Sequence, residues 1–197
     1  MTVDAAVLIW FSRNIDLYAV LDEWRDARSN YDPGRVVDDS WYVDTYEVAL
    51  GTSDKSALFD EAVRKLFRYD FYPESFVAVA ADFIRDNRPP EAGECVIQRI
   101  RVIPGIVDAV TMNIVKSVWQ DPERKGFTLV TSERQFELGE WTASIVRNPG
   151  GDIALLVRAI SKPSKRVPFF ARGFARGLQK HAHMLALKSF SSAVREN

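Results

Sequence analysis

Cysteine occurs once in the 197 residues, as Cys95, so no disulfide can close within the chain, a usage that fits a reducing cytoplasm. Its apolar neighbours give Cys95 the character of a small buried hydrophobe rather than a nucleophile. Histidine is almost as scarce. His181 and His183 stand two apart in a helical pattern, point to different sides and cannot share an ion, so no metal site is expected. No apolar run approaches the ~18–20 residues that span a bilayer, and no membrane span is expected. The opening MTVDAAVLIWFSRN lacks the basic region of a secretory signal and carries Asp4 instead. Glycine-rich nucleotide loops and the G-x-S-x-G elbow are also missing, and no cofactor is expected. A cytoplasmic location follows as the expectation.

Acidic side chains are nearly absent from the C-terminal part. Beyond Asp152 none occurs until Glu196, while Lys162, Lys165, Arg166, Arg172, Arg176, Lys180, Lys188 and Arg195 accumulate. Residues 1–49 are correspondingly acidic, so the net charge of −1 conceals a segregation. Arg172, Arg176, Lys180 and His183 follow one helical stripe. That stripe can meet the acidic N-terminal region, a neighbouring subunit in a homo-oligomer, or simply water. Nucleic acid is not expected as a partner, given the near-neutral total and the lack of a reader motif.

What is present is a strong strand signal. Alternating segments run over WYVDTYEVAL, FVAVAADFI, CVIQRIRVI, VDAVTMNIVKSVW, FTLVTSERQ, LGEWTASIVRN and DIALLVRAIS. Pro-Gly and Gly-Gly breaks between the later segments are short enough for hairpins, which makes neighbours antiparallel. The break at 136–138 reads as a bulge or a tight hairpin. Helices are predicted over 14–28, capped by Asn14, over ALFDEAVRKLFRYD with Ser53 or Asp54 as cap, and over most of 164–195. Gly173 and Gly177 inside the last helix fit either close packing on the sheet or a bulky neighbour. AVLIWF fits a strand or the start of the first helix. The fold class predicted is α+β: a bent antiparallel sheet of about seven strands wrapped around a long C-terminal helix, with a cavity between them. Residues 1–29 read as a helical extension and 30–197 as one domain.

The segments WYVDTYEVALGTSDKSALFDEAVRKLFRYDF, GECVIQRIRVIPG, the Gly139-Glu140 step and ISKPSKRVPFFARGFARGLQKHA resemble a bacterial and plant family, the domain of unknown function nineteen-ninety, over roughly residues 30–190. Ser161-Lys162-Pro163 and Gln179-Lys180-His181 are the most specific pieces. That family is similar to the helix-grip superfamily of START-like and birch-pollen-allergen-like proteins. The resemblance implies a cavity under the C-terminal helix that takes lipids, steroids, polyketides or hormones, with some members cyclases or hydrolases. The family's motif Thr-Leu-x-Gly-His-x-x-x-Gly-Glu-Glu is matched here at Thr131, Gly139 and Glu140. Gln135 replaces the histidine and Trp141 the second carboxylate, which weakens an acid–base reading because an amide does not titrate near neutral pH.

The expected function is therefore non-catalytic binding of a small apolar or amphipathic molecule. The walls are expected from Val110, Met112, Ile114, Trp119, Trp141, Phe170, Phe174 and Leu178, with Arg99 and Arg101, on one strand face, either anchoring an anionic group or facing solvent. The alternatives are a cyclase- or hydrolase-type enzyme using Glu140 with Thr131 or Gln135, and a structural or partner-binding protein with a filled core.

Overall fold

Seven strands pair edge to edge in the order β2-β8-β7-β6-β5-β4-β3, every pair antiparallel, in a curled half-barrel. They are β2 (Tyr42–Thr52), β3 (Val77–Ala80), β4 (Cys95–Ile103), β5 (Val107–Asp121), β6 (Arg124–Thr131), β7 (Glu137–Arg147) and β8 (Asp152–Pro163). An eighth, β1 (Val7–Trp10), pairs with residues 107–110 of β5, beside the stretch that β6 leaves uncovered. The computed structural model describes residues 7–10, 14–33, 37–52, 56–73, 75–165 and 172–195, without the side chains of 7–10, 56, 172, 174 and 175. The helices are α1 (Leu17–Trp24), α2 (Ser56–Phe67), the single turn α3 (Asp82–Arg85) and α4 (Arg172–Arg195).

The differences from expectation have local causes. The first helix starts at Leu17 because the Asp16 carboxylate, rather than Asn14, accepts from the Tyr18 and Ala19 amides at 3.0 and 3.3 Å. It ends at Trp24 because the chain beyond it pairs with the turn after β6: the Asn30 amide donates to the Thr131 carbonyl and the Glu133 amide to that of Arg28. The strand expected over FVAVAADFI stops at Ala80 and turns into α3, whose Asp82 receives Arg25, the residue that caps the end of α1, at 2.6 Å. The break at 136–138 is the end of a hairpin turn that runs over 132–136. The caps Ser53 and Asp54, and residues 166–171 before α4, lie outside the described residues.

The concave face of the sheet is filled at one end and hollow at the other. At the filled end, Phe127, Leu129, Ile145 and Leu155 of the sheet meet Phe59 and Leu66 of α2 and Leu187, Phe190 and Val194 of α4. Phe71, after α2, stacks on Phe190 with ring centroids 5.0 Å apart and meets Trp141 edge-on at 5.1 Å. Further along the same strands the inward positions become small: Ala109, Thr111, Gly139, Ala159 and Ser161. Space is left there, beneath the first half of α4.

The convex face is also covered. Leu21 and Trp24 of α1 lie on Cys95, Ile97, Val110 and Met112, while Tyr31 and Trp41 lie on Val130 and Ile160. The sheet is therefore buried on both sides around the hollow end. Cys95 is buried as expected, and burial pushes its thiol pKa up.

The segregated charges meet across the fold. Arg176 of α4 grips Asp44 of β2 through two contacts of 2.6 and 2.7 Å and lies 4.3 Å over the Tyr42 ring. Gly173 and Gly177 do not mark close packing on the described residues, since an added Cβ at either meets none of them within 4 Å. Gly177→Ala should therefore stabilise the protein by about 1 kcal/mol through helix propensity alone. Urea unfolding of the two forms checks this, and a loss of stability would reveal a contact at that position.

Candidate functional site

A cavity of about 530 Å³ occupies the hollow end. Its floor is the concave face of β4–β8, its roof is Leu178, Gln179, Ala182 and His183 of α4, and Tyr69 and Tyr72 close the side towards the core. Ile103 at the β4–β5 turn belongs to the lining and is 43% exposed, so an apolar lip stands at the mouth.

Four side chains from separate elements form a hydrogen-bonded chain across the floor. Gln135 Nε2 donates to Asn113 Oδ1 (3.2 Å), Asn113 Nδ2 to Gln98 Oε1 (3.0 Å), and Gln98 Nε2 to the Tyr69 hydroxyl (2.8 Å). The Phe136 amide donates to Gln135 Oε1 at 3.0 Å. A backbone N–H cannot reverse its role, so it fixes which end of each amide faces the next. Beside the chain, Thr111 pairs across the strands with Gln98; its hydroxyl is buried and has no hydrogen-bond partner among the described residues.

A second polar group lies under α4. Gln179 Nε2 donates to Glu137 Oε2 (3.1 Å) and to Ser161 Oγ (2.8 Å), and its Oε1 accepts from Arg176 (2.6 Å). Burial pushes the Glu137 carboxyl up to about 7, against the opposing pull of Arg176 and with a smaller push from Asp44. One turn further along α4, His183 meets the Tyr46 ring edge-on at 5.6 Å; burial lowers its pKa, and its Nδ1 has no partner among the described residues. No group of three or more His, Cys, Asp or Glu among the described residues could hold a metal ion.

Four of the candidate wall and catalytic residues named from the sequence line the cavity with their side chains: Trp141, Leu178, Thr131 and Gln135. Thr131 Oγ1 is occupied, donating to Asn30 Oδ1 at 2.6 Å and accepting from the Gly139 amide at 3.0 Å. Val110, Met112 and Ile114 are corrected to the opposite face, where α1 packs, because Val107, Ala109, Thr111 and Asn113 take the inward positions of β5. Trp119 sits at the far end of β5, with the Arg124 guanidinium 5.2 Å over its ring, and is not in the lining. Phe170 and the Phe174 side chain lie outside the described residues.

Arg99 and Arg101 also leave the cavity, since Gln98, Ile100 and Val102 face it from β4. Arg99 instead holds the buried Asp108 at 2.7 Å. Glu140 contributes to the lining along the β7 backbone, but its carboxylate belongs to the outer face, 3.6 Å from Arg158 and in line with Val130 and Ile160. Burial raises its pKa and Arg158 opposes the rise. With its carboxylate turned away, Glu140 cannot act on a molecule in the cavity beside Thr131 or Gln135. The residues that sequence reasoning missed are Tyr69, Gln98, Thr111, Asn113 and Glu137. Strand parity was the available signal, because Trp141 facing inward puts Glu137 and Gly139 inward and Glu140 outward.

Residues 28–189 match the family described as domain of unknown function DUF1990. The chain belongs to that family. No curated protein matches the sequence of this DUF1990 protein. Among solved structures, the hypothetical protein jhp0584 from Helicobacter pylori aligns with a TM-score of 0.54 at 10% identity, over 83% of this chain and 91% of that one, which shows a shared fold. Ara h 8.0201 aligns with a TM-score of 0.47 at 8% identity, over 80% and 99% of the two chains. A protein of unknown function from Staphylococcus aureus, SA2116, gives 0.47 at 12% identity, over 79% and 94%. No helix among the described residues is long and apolar enough to cross a membrane.

Proposed function

We propose that this DUF1990 protein binds a small, largely apolar molecule beneath the first half of α4 and does not transform it. The observation that carries the reading is the cavity of about 530 Å³, within the range of roughly 300–1,000 Å³ typical of small-molecule sites. Apolar walls with a few convergent polar groups are the usual make-up of such sites. The filled-core alternative is not favoured, because the small inward residues Ala109, Gly139, Ala159 and Ser161 leave this volume open.

Native mass spectrometry of freshly purified protein tests the reading, together with the cavity-filling variant Ala182→Phe. The expected result is a co-purifying mass of a few hundred daltons, or uptake of apolar molecules from an extract, both lost in Ala182→Phe while the melting temperature is kept. An Ala182→Phe protein that loads as fully as the wild type would place the ligand elsewhere, and a wild type that never loads would defeat the proposal.

A further inference from the structure

The direction of the amide chain has a chemical consequence. The Phe136 amide fixes the orientation of Gln135, Gln135 fixes Asn113, and Asn113 fixes Gln98, so Gln98 must donate to the Tyr69 oxygen. The Tyr69 hydroxyl is thereby an acceptor on its protein side, and its own proton has no acceptor among the described residues. Burial pushes the Tyr69 pKa well above the ordinary phenol value, so the proton stays on. Tyr69 lines the cavity, where this donor is available.

The backbone at Tyr69 supports a role beyond packing. Tyr69 follows α2 with φ +62°, its amide bonded to the Leu66 carbonyl and that of Asp70 to the Lys65 carbonyl. This is a Schellman terminus, and the left-handed position in it usually belongs to glycine. A bulky side chain there is strained, because its Cβ crowds the following carbonyl oxygen. The ring packs on Phe71, Phe127 and Trp141 at 5.4–6.2 Å, which a phenylalanine would do equally well. Packing therefore accounts for the ring, and Gln98 for the hydroxyl oxygen, which leaves the hydroxyl proton without an acceptor among the described residues. Thr111, the cross-strand neighbour of Gln98, adds a buried hydroxyl that has no partner among the described residues. Among the described lining residues there is no lysine or arginine to meet an anion.

We infer that the molecule bound in this cavity is uncharged and carries a hydrogen-bond-accepting oxygen of the carbonyl class, held by the Tyr69 hydroxyl with Thr111 beside it. The inference rests on the cavity being a binding site. It replaces the anionic group that Arg99 and Arg101 suggested in the sequence.

Three fluorescent probes of one shape test it: the neutral ketone propionyl-dimethylaminonaphthalene, dimethylaminonaphthalene without the carbonyl, and the anionic dimethylaminonaphthoate. Wild-type protein should bind the ketone most tightly and the naphthoate least. Tyr69→Phe, with folding checked by near-ultraviolet circular dichroism, should weaken the ketone by about three- to tenfold and leave the carbonyl-free probe unchanged. Thr111→Val should weaken the ketone in the same sense. Equal affinity for ketone and carbonyl-free probe, tight binding of the naphthoate, or an unchanged ketone preference in folded Tyr69→Phe would overturn the inference and leave the cavity as a binding site. Failure of all three probes to bind wild-type protein would overturn both. The wild-type ranking decides the matter even where a variant does not fold.

Discussion

Replacing Gly139 by alanine should cost about 4 kcal/mol, a large share of the roughly 5–15 kcal/mol by which a folded protein is usually stable. Two effects add. Gly139 sits at φ +154°, a conformation that side chains other than hydrogen rarely adopt. A Cβ built there would also lie 1.9 Å from the Ile160 carbonyl oxygen and 2.9 Å from the Ser161 Cα, both backbone atoms of the paired strand β8. Relief would require β7 and β8 to part where Glu137, Ser161 and Gln179 meet and where Thr131 holds the Gly139 amide. Gly150→Ala in the β7–β8 turn is the control, since its Cβ would meet nothing closer than 3.9 Å. Urea titrations should place the control within about 0.5 kcal/mol of wild type. A Gly139→Ala protein as stable as that control would mean that β7 and β8 are not paired as described.

The second large effect depends on pH. The Glu137 carboxyl has its pKa raised by burial to about 7 in the folded protein, against 4.5 for a free side chain. Between those values the unfolded chain has released a proton that the folded chain still holds. Stability must then fall as pH rises through the window, with the full penalty, about 3 kcal/mol at most, present above pH ~7. Glutamine keeps an oxygen to accept from Gln179 and cannot ionise. Glu137→Gln should therefore be more stable than wild type by up to about 3 kcal/mol at pH 8 and nearly equal to it at pH 4.5. Unfolding by urea at the two pH values, with each variant compared to wild type at the same pH, separates this group from the neighbouring pair Arg176 and Asp44. A difference independent of pH would show that Glu137 is ionised in the fold.

The architecture was legible because its signals are local. Alternation marked seven strands, Pro-Gly and Gly-Gly marked hairpins, and the acid-free tail marked α4, whose Arg176 meets Asp44 from the acidic N-terminal part. The site was legible only by half, and the reason is the cover on the convex face. With α1 packed there, both faces of β5 are buried, and Val110, Met112 and Ile114 look as suitable for a wall as Val107, Ala109 and Thr111 do. Hydrophobicity cannot choose a face when neither face meets water. Placing both Glu140 and Trp141 inside conflicts with the pleat, in which adjacent side chains point apart. Tyr69 left no trace at all, because a left-handed tyrosine at a helix end has no sequence signature comparable to glycine's.

The same strands that carry Val115, Ile145 and Leu155 into the packed end carry Ala109, Gly139 and Ser161 along the hollow end. Packing and the proposed binding thus draw on different stretches of one sheet, and the stretches can drift independently. Enlarging Ala109 or Ala159 would reshape the space offered to a guest without entering the cluster around Phe71 and Phe190. Gly139 is the exception: it lies in the hollow stretch, yet only its missing side chain lets β7 lie against β8 there, so residues around it are freer to vary than Gly139 itself.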